Sequence, residues 1–245
     1  FIAPANKQFK GWAFSADGEV ISGTSINVTA DTTLYAIWED VTFTSTADFT
    51  SGDGTAALAL LNAAKTGGAA DSTWEVDGSG NPTLTLKGVH FVTTAATAVK
   101  LPDGATIVLA DGTTNTITGG SLSNYCYGIY GEGDLTISGT GTLNVTGGNT
   151  TGSIYNSYGI YIDDGDINIT GGTVNATGGT ASGSSYGIYA TTVMIHDGTV
   201  NATGGTAGSA SGNVSCGIGT AERAVISGGV VNATGGAAYL SYGIK

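Results

Sequence analysis

Asp163-Asp164-Gly165-Asp166 is the densest group of ionisable side chains in the sequence, and Glu132 and Asp134 stand some thirty residues before it. Carboxylates gathered in this way support two kinds of chemistry. Ca2+ takes about six to eight hard oxygen ligands and is the metal such a set suits. Two carboxyl groups at the right separation also cleave glycosidic bonds, one as acid and the other as base or nucleophile. On that reading the protein is a polysaccharide lyase or hydrolase acting through Asp163, Asp164 and Asp166. Cleavage of acidic polysaccharides also asks for cations beside the carboxylates, and in the repeat alignment below only Arg223 comes near this corner. The simpler expectation is a solvated acidic turn, with weak Ca2+ binding at Asp163, Asp164 and Asp166 as the residual metal reading and no other cofactor.

Other reactive residue types stand alone. His90 and His196 have no acidic partner on their own side of a strand, since Asp197, next to His196, points the opposite way. Gly183-Ser184-Ser185-Tyr186-Gly187 fits G-x-S-x-G, but that motif marks a nucleophile only on a strand-to-helix elbow with a histidine at hand. Cys126 and Cys216 match no zinc spacing. Three coils apart, they lie about 14 Å from each other by strand spacing, beyond the roughly 7 Å limit on Cα separation for a disulfide. Free thiols and a non-catalytic chain are the expectation.

Tyrosine offers more. Tyr130, Tyr161 and Tyr189 each follow a glycine and an isoleucine, and strand alternation places them opposite the inward isoleucine. A row of aromatic rings one coil apart, beside outward Asn and Thr, suits stacking on sugar rings. Tyr130, Tyr161 and Tyr189 are therefore the expected ligand-binding residues, and a glycan or a host or cell-surface protein the expected partner. The competing expectation is that these rings pack under the Ser/Gly-rich loops at 150–156, 180–185 and 206–215, or that the glycine bends the strand and resets the alternation. Asn144, Asn175, Asn201 and Asn232, each in an N-x-T triplet, read either as glycosylation acceptors or as an amide ladder running from coil to coil.

These residues recur because the sequence does. Tyr127-Gly128-Ile129-Tyr130, Tyr158-Gly159-Ile160-Tyr161, Tyr186-Gly187-Ile188-Tyr189, Cys216-Gly217-Ile218-Gly219 and Tyr242-Gly243-Ile244-Lys245 begin 31, 28, 30 and 26 residues apart. Each of the first four is followed by a short apolar run, such as Ile167-Asn168-Ile169, and by a second that leads into Thr-Gly-Gly, such as Val174-Asn175-Ala176. Three strands per unit with glycine corners predict an all-β protein, a right-handed parallel β-helix or solenoid of five to six coils. Ile129, Ile160, Ile188, Ile218 and Ile244 are expected to stack inside it, with Ile167, Ile169, Val174 and Ala176. Open ends of such a rod expose strand edges. Residues 55–65 read as a helix with Ser51 or Asp53 as caps and Gly67-Gly68 as the stop, a lid on the first coil. The chain ends one strand into a coil and begins without Met, so a longer parent protein is expected.

Composition narrows the function classes. Of 245 residues 42 are Gly, and 19 Asp or Glu against 7 Lys or Arg give a formal net charge of −12. That balance leaves little to neutralise phosphates, so nucleic acid is not an expected partner. The longest apolar run, around Ala56 to Ala64, falls short of the roughly 20 residues that cross a bilayer, so no membrane insertion is expected.

Residues 1–40 differ in character. Phe9-Lys10-Gly11-Trp12 and Asp31-Thr32-Thr33-Leu34-Tyr35-Ala36-Ile37-Trp38 resemble the second half of the Listeria–Bacteroides repeat, the small β-grasp-like module also called the internalin B-repeat, with its F-x-G-W and D-x-T-L-Y-A-x-W signature. The resemblance implies a partial β-grasp-like module at 1–40 ahead of the β-helix at 41–245. It also implies an extracellular segment at the cell surface or cell wall of a bacterium, used for adhesion or ligand display, or serving purely as a structural spacer. The β-helix region itself looks like those of bacterial surface proteins and adhesins.

Overall fold

The computed structural model of the chain describes residues 7–22, 31–66 and 68–245. The short runs of the repeat are rich in Thr, Val and Ile, β-branched types that fit a pleated, half-buried surface, and each run forms a strand. From Thr97 onward the strands recur in threes. A tyrosine row comprises Thr97–Leu101, Cys126–Gly131, Ser157–Ile162, the first halves of Ser185–Ile195 and Val214–Ile226, and Leu240–Ile244. A middle row comprises Ala105–Leu109, Leu135–Gly139, Ile167–Ile169 and the second halves of the same two long strands. An asparagine row comprises Thr114–Thr118, Thr142–Thr146, Thr173–Thr177, Thr199–Thr203 and Val230–Thr234. Each strand pairs in parallel with its counterpart one coil away, with like residues opposite: Tyr127 with Tyr158, Tyr158 with Tyr186, Asn144 with Asn175, Asn175 with Asn201. The architecture is the expected all-β parallel solenoid, of about five turns.

Alternation sorts the side chains. Ile129, Ile160, Ile188 and Ile218 form one inward column, Leu135, Ile167 and Val193 a second, and Leu143, Val174 and Val200 a third, all buried. Each such side chain contributes roughly 1.5–3 kcal/mol by leaving water. Ile244 keeps its register with Ile218, yet it is 43% exposed, because among the described residues no strand stacks beyond it. On the outer side the asparagine amides do bond from coil to coil. Asn175 Nδ2 donates to Asn144 Oδ1 at 2.7 Å, Asn201 to Asn175 at 2.7 Å and Asn232 to Asn201 at 2.8 Å.

A second ladder lies inside. Ser157, Ser185 and Ser215 each precede the tyrosine position of a repeat and are fully buried. Ser157 Oγ donates to the Gly148 carbonyl at 2.7 Å and accepts the Gly179 N–H at 2.8 Å. Ser185 links Gly179 to Gly205 in the same way, at 2.7 and 2.9 Å, and Ser215 links Gly205 to Gly236, at 2.6 and 2.7 Å. Each hydroxyl ties the Thr-Gly-Gly corner before it to the corner after it and satisfies backbone groups that are buried at Gly148 and Gly179 and half-buried at Gly205 and Gly236.

The glycine between Tyr and Ile sits where the coil closes on itself. A Cβ on Gly159 would lie 2.6 Å from the Gly187 carbonyl oxygen and 2.8 Å from the Thr177 nitrogen, and one on Gly187 would lie 2.7 Å from the Ala176 carbonyl oxygen. Only hydrogen fits against the end of the asparagine row.

The amino-terminal lid is present. The helix spans Thr55–Ala63, with Ala64 as its C-cap, two residues shorter than 55–65. It packs over Ala47–Asp48, Thr73–Val76 and His90–Val92 and buries Ala57 and Leu61. The N-cap position is corrected from Ser51 or Asp53 to Gly54, at φ 76, which makes no side-chain cap of its own. Glycine is required there because a Cβ would meet Trp74 Nε1 at 2.5 Å. Asp53 instead accepts the N–H of Thr55 at 2.9 Å, which holds its carboxyl below the usual range. Of the expected stop, Gly68 is at φ 80, while Gly67 lies outside the described residues, as do 1–6 and 23–30 of the amino-terminal segment. There, Lys7–Ala13 pairs antiparallel with Tyr35–Asp40, Phe9 opposite Trp38 with ring centroids 5.7 Å apart. The two halves of the F-x-G-W and L-Y-A-x-W pattern therefore meet.

Replacing Gly159 with Ala is expected to destabilise the coil by about 1–3 kcal/mol through overpacking against backbone. Denaturant unfolding should show a lower midpoint at an unchanged slope; an unshifted midpoint would show that the corner has room for a side chain.

Candidate functional site

The glycine contact decides where the tyrosines point. In Cys126–Gly131, Cys126 is inward and Tyr127 outward, Gly128 and Ile129 are both buried, and Tyr130 is outward again. Two successive inward residues break the two-residue period, so both tyrosines of each Tyr-Gly-Ile-Tyr emerge on one face. Sequence alternation placed Tyr130, Tyr161 and Tyr189 on that face. Tyr127, Tyr158 and Tyr186 join them, giving two parallel columns.

The rings are stacked, not laid flat. Tyr127 and Tyr158 have centroids 5.4 Å apart at 9°, Tyr158 and Tyr186 are 5.3 Å apart at 8°, and Tyr161 and Tyr189 are 5.7 Å apart at 11°. Coplanar rings at that separation would overlap, so each stands on edge and presents its rim and hydroxyl outward. Between columns the contacts are edge-on, as for Tyr186 and Tyr189 at 5.1 Å and 69°, or tilted, as for Tyr158 and Tyr161 at 4.7 Å and 56°, and the edge-on geometry is one the ring quadrupole favours. Tyr125 and Tyr155 extend the cluster at one corner, 5.2 Å apart. Five of the six column rings are half-buried, and Tyr158 is buried, at 7% exposure.

The acidic corner belongs to this face. Asp163 accepts the Tyr130 hydroxyl at 2.8 Å on Oδ2 and the Tyr161 hydroxyl at 3.1 Å on Oδ1, clamping two rungs of one column. Asp166 Oδ1 accepts the Thr192 N–H at 3.0 Å, Asp134 Oδ1 the Asp166 N–H at 2.8 Å and Asp103 Oδ1 the Asp134 N–H at 2.7 Å. These carboxylates fasten one turn to the next. Asp164 is exposed at φ 52, a turn conformation that Asp tolerates. Glu132 pairs with Lys100 at 2.6 Å, and the Lys100 ammonium lies 5.9 Å from the Tyr130 ring centre. Among the described residues no three His, Cys, Asp or Glu side chains are grouped to hold a metal ion.

The remaining candidates lie elsewhere. His196 Nδ1 is 2.7 Å from Ser227 Oγ, and His90 is half-buried beside the lid, where desolvation lowers its pKa. Ser185, the nucleophile position of G-x-S-x-G, is a buried staple on a strand with no elbow. Cys126 and Cys216 are buried free thiols. They belong to different columns, since Cys126 is in register with Ser157 and Cys216 with Tyr186. A depression between loops 206–209 and 237–239 is lined by small residues and Tyr239.

Burial, followed by the Asp163 hydrogen bond and charge, pushes the Tyr130 phenol up to about 12. Burial likewise raises Tyr127, Tyr158 and Tyr161, with Asp163 adding to the shift at Tyr161. Unfolded tyrosine ionises near 10, so above that pH the unfolded chain loses protons that the folded face keeps. Stability is thus fully present below about pH 10 and falls as pH rises toward the folded values. In an alkaline titration, tyrosinate absorbance from these four should appear only as the fold is lost. Full ionisation near pH 10 with the fold intact would contradict their burial.

Comparison with known proteins adds one finding: the model of the carbohydrate-binding domain-containing protein family matches residues 64–237. No curated protein and no solved structure matches the chain. The matched span takes in Pro82–Leu86 and His90–Val92, the coils from Thr97 to Thr234 and every tyrosine of the two columns. The chain belongs to the carbohydrate-binding domain-containing protein family.

Proposed function

We propose that the protein binds carbohydrate along the tyrosine face, with Tyr130, Tyr161 and Tyr189 and their neighbours Tyr127, Tyr158 and Tyr186 as the contact residues. One observation carries this reading: five half-buried tyrosines and a buried sixth, Tyr158, stand in register on one side of three consecutive coils. The family description supports carbohydrate binding in general. A rigid aromatic face loses little conformational entropy on binding, and its phenol oxygens carry acceptor capacity for sugar hydroxyls. Tyr130 and Tyr161 already donate to Asp163, so their lone pairs face the ligand as acceptors. Each neutral hydrogen bond contributes about 0.5–1.5 kcal/mol, so useful affinity requires several rungs at once, which a repeat supplies.

The same reading makes the chain an extracellular, non-catalytic segment of a bacterial surface protein that adheres through glycans. Its support is the resemblance of the amino-terminal segment to a surface-protein module, together with the pairing of Phe9 and Trp38. Absence of antibody labelling on intact producing cells would remove the surface location.

On a glycan array, Tyr161→Ala and Tyr189→Ala together should lower the signal tenfold or more in protein that circular dichroism shows to be still folded at the temperature of the array. An unchanged array profile would overturn the tyrosine face as the binding site.

A further inference from the structure

Almost every ring face in the two columns is covered. Tyr125 stacks on Tyr127 at 6.5 Å, Tyr127 on Tyr158 and Tyr158 on Tyr186. In the other column Lys100 lies over Tyr130, Tyr130 stacks on Tyr161 at 5.7 Å and Tyr161 on Tyr189. The downstream faces of Tyr186 and Tyr189 are different. One coil on, the ladder loses both its tyrosines: Cys216, in register with Tyr186, is fully buried, and Gly219, in register with Tyr189, has no side chain. One coil further Tyr242 returns in register with Cys216, and Lys245 holds its ammonium 5.5 Å from the Tyr242 ring centre.

Spacing determines what this gap admits. Adjacent coils lie about 4.8 Å apart, which leaves no room between stacked rings, whereas two coils span about 9.6 Å. A saturated ring in van der Waals contact with an aromatic plane on each side needs about 8 Å. Gly219 is buried beneath the two rings: a Cβ there would meet Tyr186 Cδ1 at 2.7 Å and Tyr189 Cδ2 at 2.9 Å, so both rings lean over it and their downstream faces form the floor of the gap.

We infer that the Cys216–Gly219 coil forms a slot that takes one pyranose ring of a bound glycan between the open faces of Tyr186 and Tyr189 and the Tyr242–Lys245 pair. The C–H face of the sugar lies on the electron-rich face of the tyrosines. Its hydroxyls point outward to the Lys245 ammonium and to solvent. The rest of the glycan continues along the ring edges of the upstream rungs. The slot is thus the stacking subsite of the tyrosine face, and it rests on the carbohydrate reading above.

The test measures affinity, by calorimetry, for cellotetraose, xylotetraose, mannotetraose and tetragalacturonate. For any of these that the wild-type protein binds, Gly219→Tyr, which rebuilds the missing rung, should lower affinity tenfold or more in protein that circular dichroism shows to be folded at the temperature of the titration. Tyr189→Ala should cost as much, and Tyr130→Ala no more than about threefold. Wild-type affinity in Gly219→Tyr, or equal losses in Tyr130→Ala and Tyr189→Ala, would overturn the slot and leave binding along the whole face standing. If Gly219→Tyr does not fold, the two alanine variants decide. Silence of the wild-type protein towards all four sugars would count against carbohydrate binding itself and remove the slot with it.

Discussion

The contact between the glycine of each Tyr-Gly-Ile and the end of the asparagine row is the constraint on which the rest of the molecule turns. Backbone approaches backbone so closely at Gly159 and Gly187 that no side chain fits. That approach closes the coil into a narrow section, filled by the three inward columns of Ile, Leu and Val with small partners such as Ala176 and Ala202. It also bends the strand, so that Tyr and the residue after Ile leave on the same side. A single steric condition, repeated coil after coil, thus sets both the width of the core and the presence of a doubled aromatic face.

Polar ladders fix the coils at this spacing. Serine hydroxyls staple the inner corners, asparagine amides run along the outside, and carboxylates join the acidic turns. Each ladder is one hydrogen bond per coil in each direction, so its strength grows with the number of coils and not with any one residue. Asp163 sits where the acidic turns meet the tyrosines and couples two rungs through their hydroxyls. The cluster that looked most like a reactive centre is thereby part of the scaffold of the tyrosine face. Its carboxylate adds to the burial that raises the Tyr130 and Tyr161 phenols and accepts both of their hydroxyls.

Much of this is legible in the residues, for a definable reason. Inward Ile167 and Ile169, outward Asn175 and the Asn ladder all follow from the two-residue period of a strand laid over a repeat of about thirty residues. The lid was visible as an apolar run bounded by turn residues, although its cap was not, since the choice of Gly54 depends on Trp74, twenty residues away. The serine staples had a signal, a serine before Tyr158, Tyr186, Cys216 and Tyr242, which passes for filler in a chain rich in serine until burial distinguishes it. Tyr127, Tyr158 and Tyr186 escaped because the alternation that places Tyr130 outward is broken at the glycine between them.

From the sequence alone came the three-strand coil, the parallel stacking, the columns inside and the residues that face out, because periodicity and side-chain type are local properties that any reader of the chain can count. The tertiary structure decided which two tyrosines share a face, which carboxylate holds them and which ring faces remain open. Those outcomes depend on partners such as Gly159 and Thr177, Tyr130 and Asp163, or Tyr189 and Gly219, separated by many residues and brought together only when one coil packs against itself or against the next.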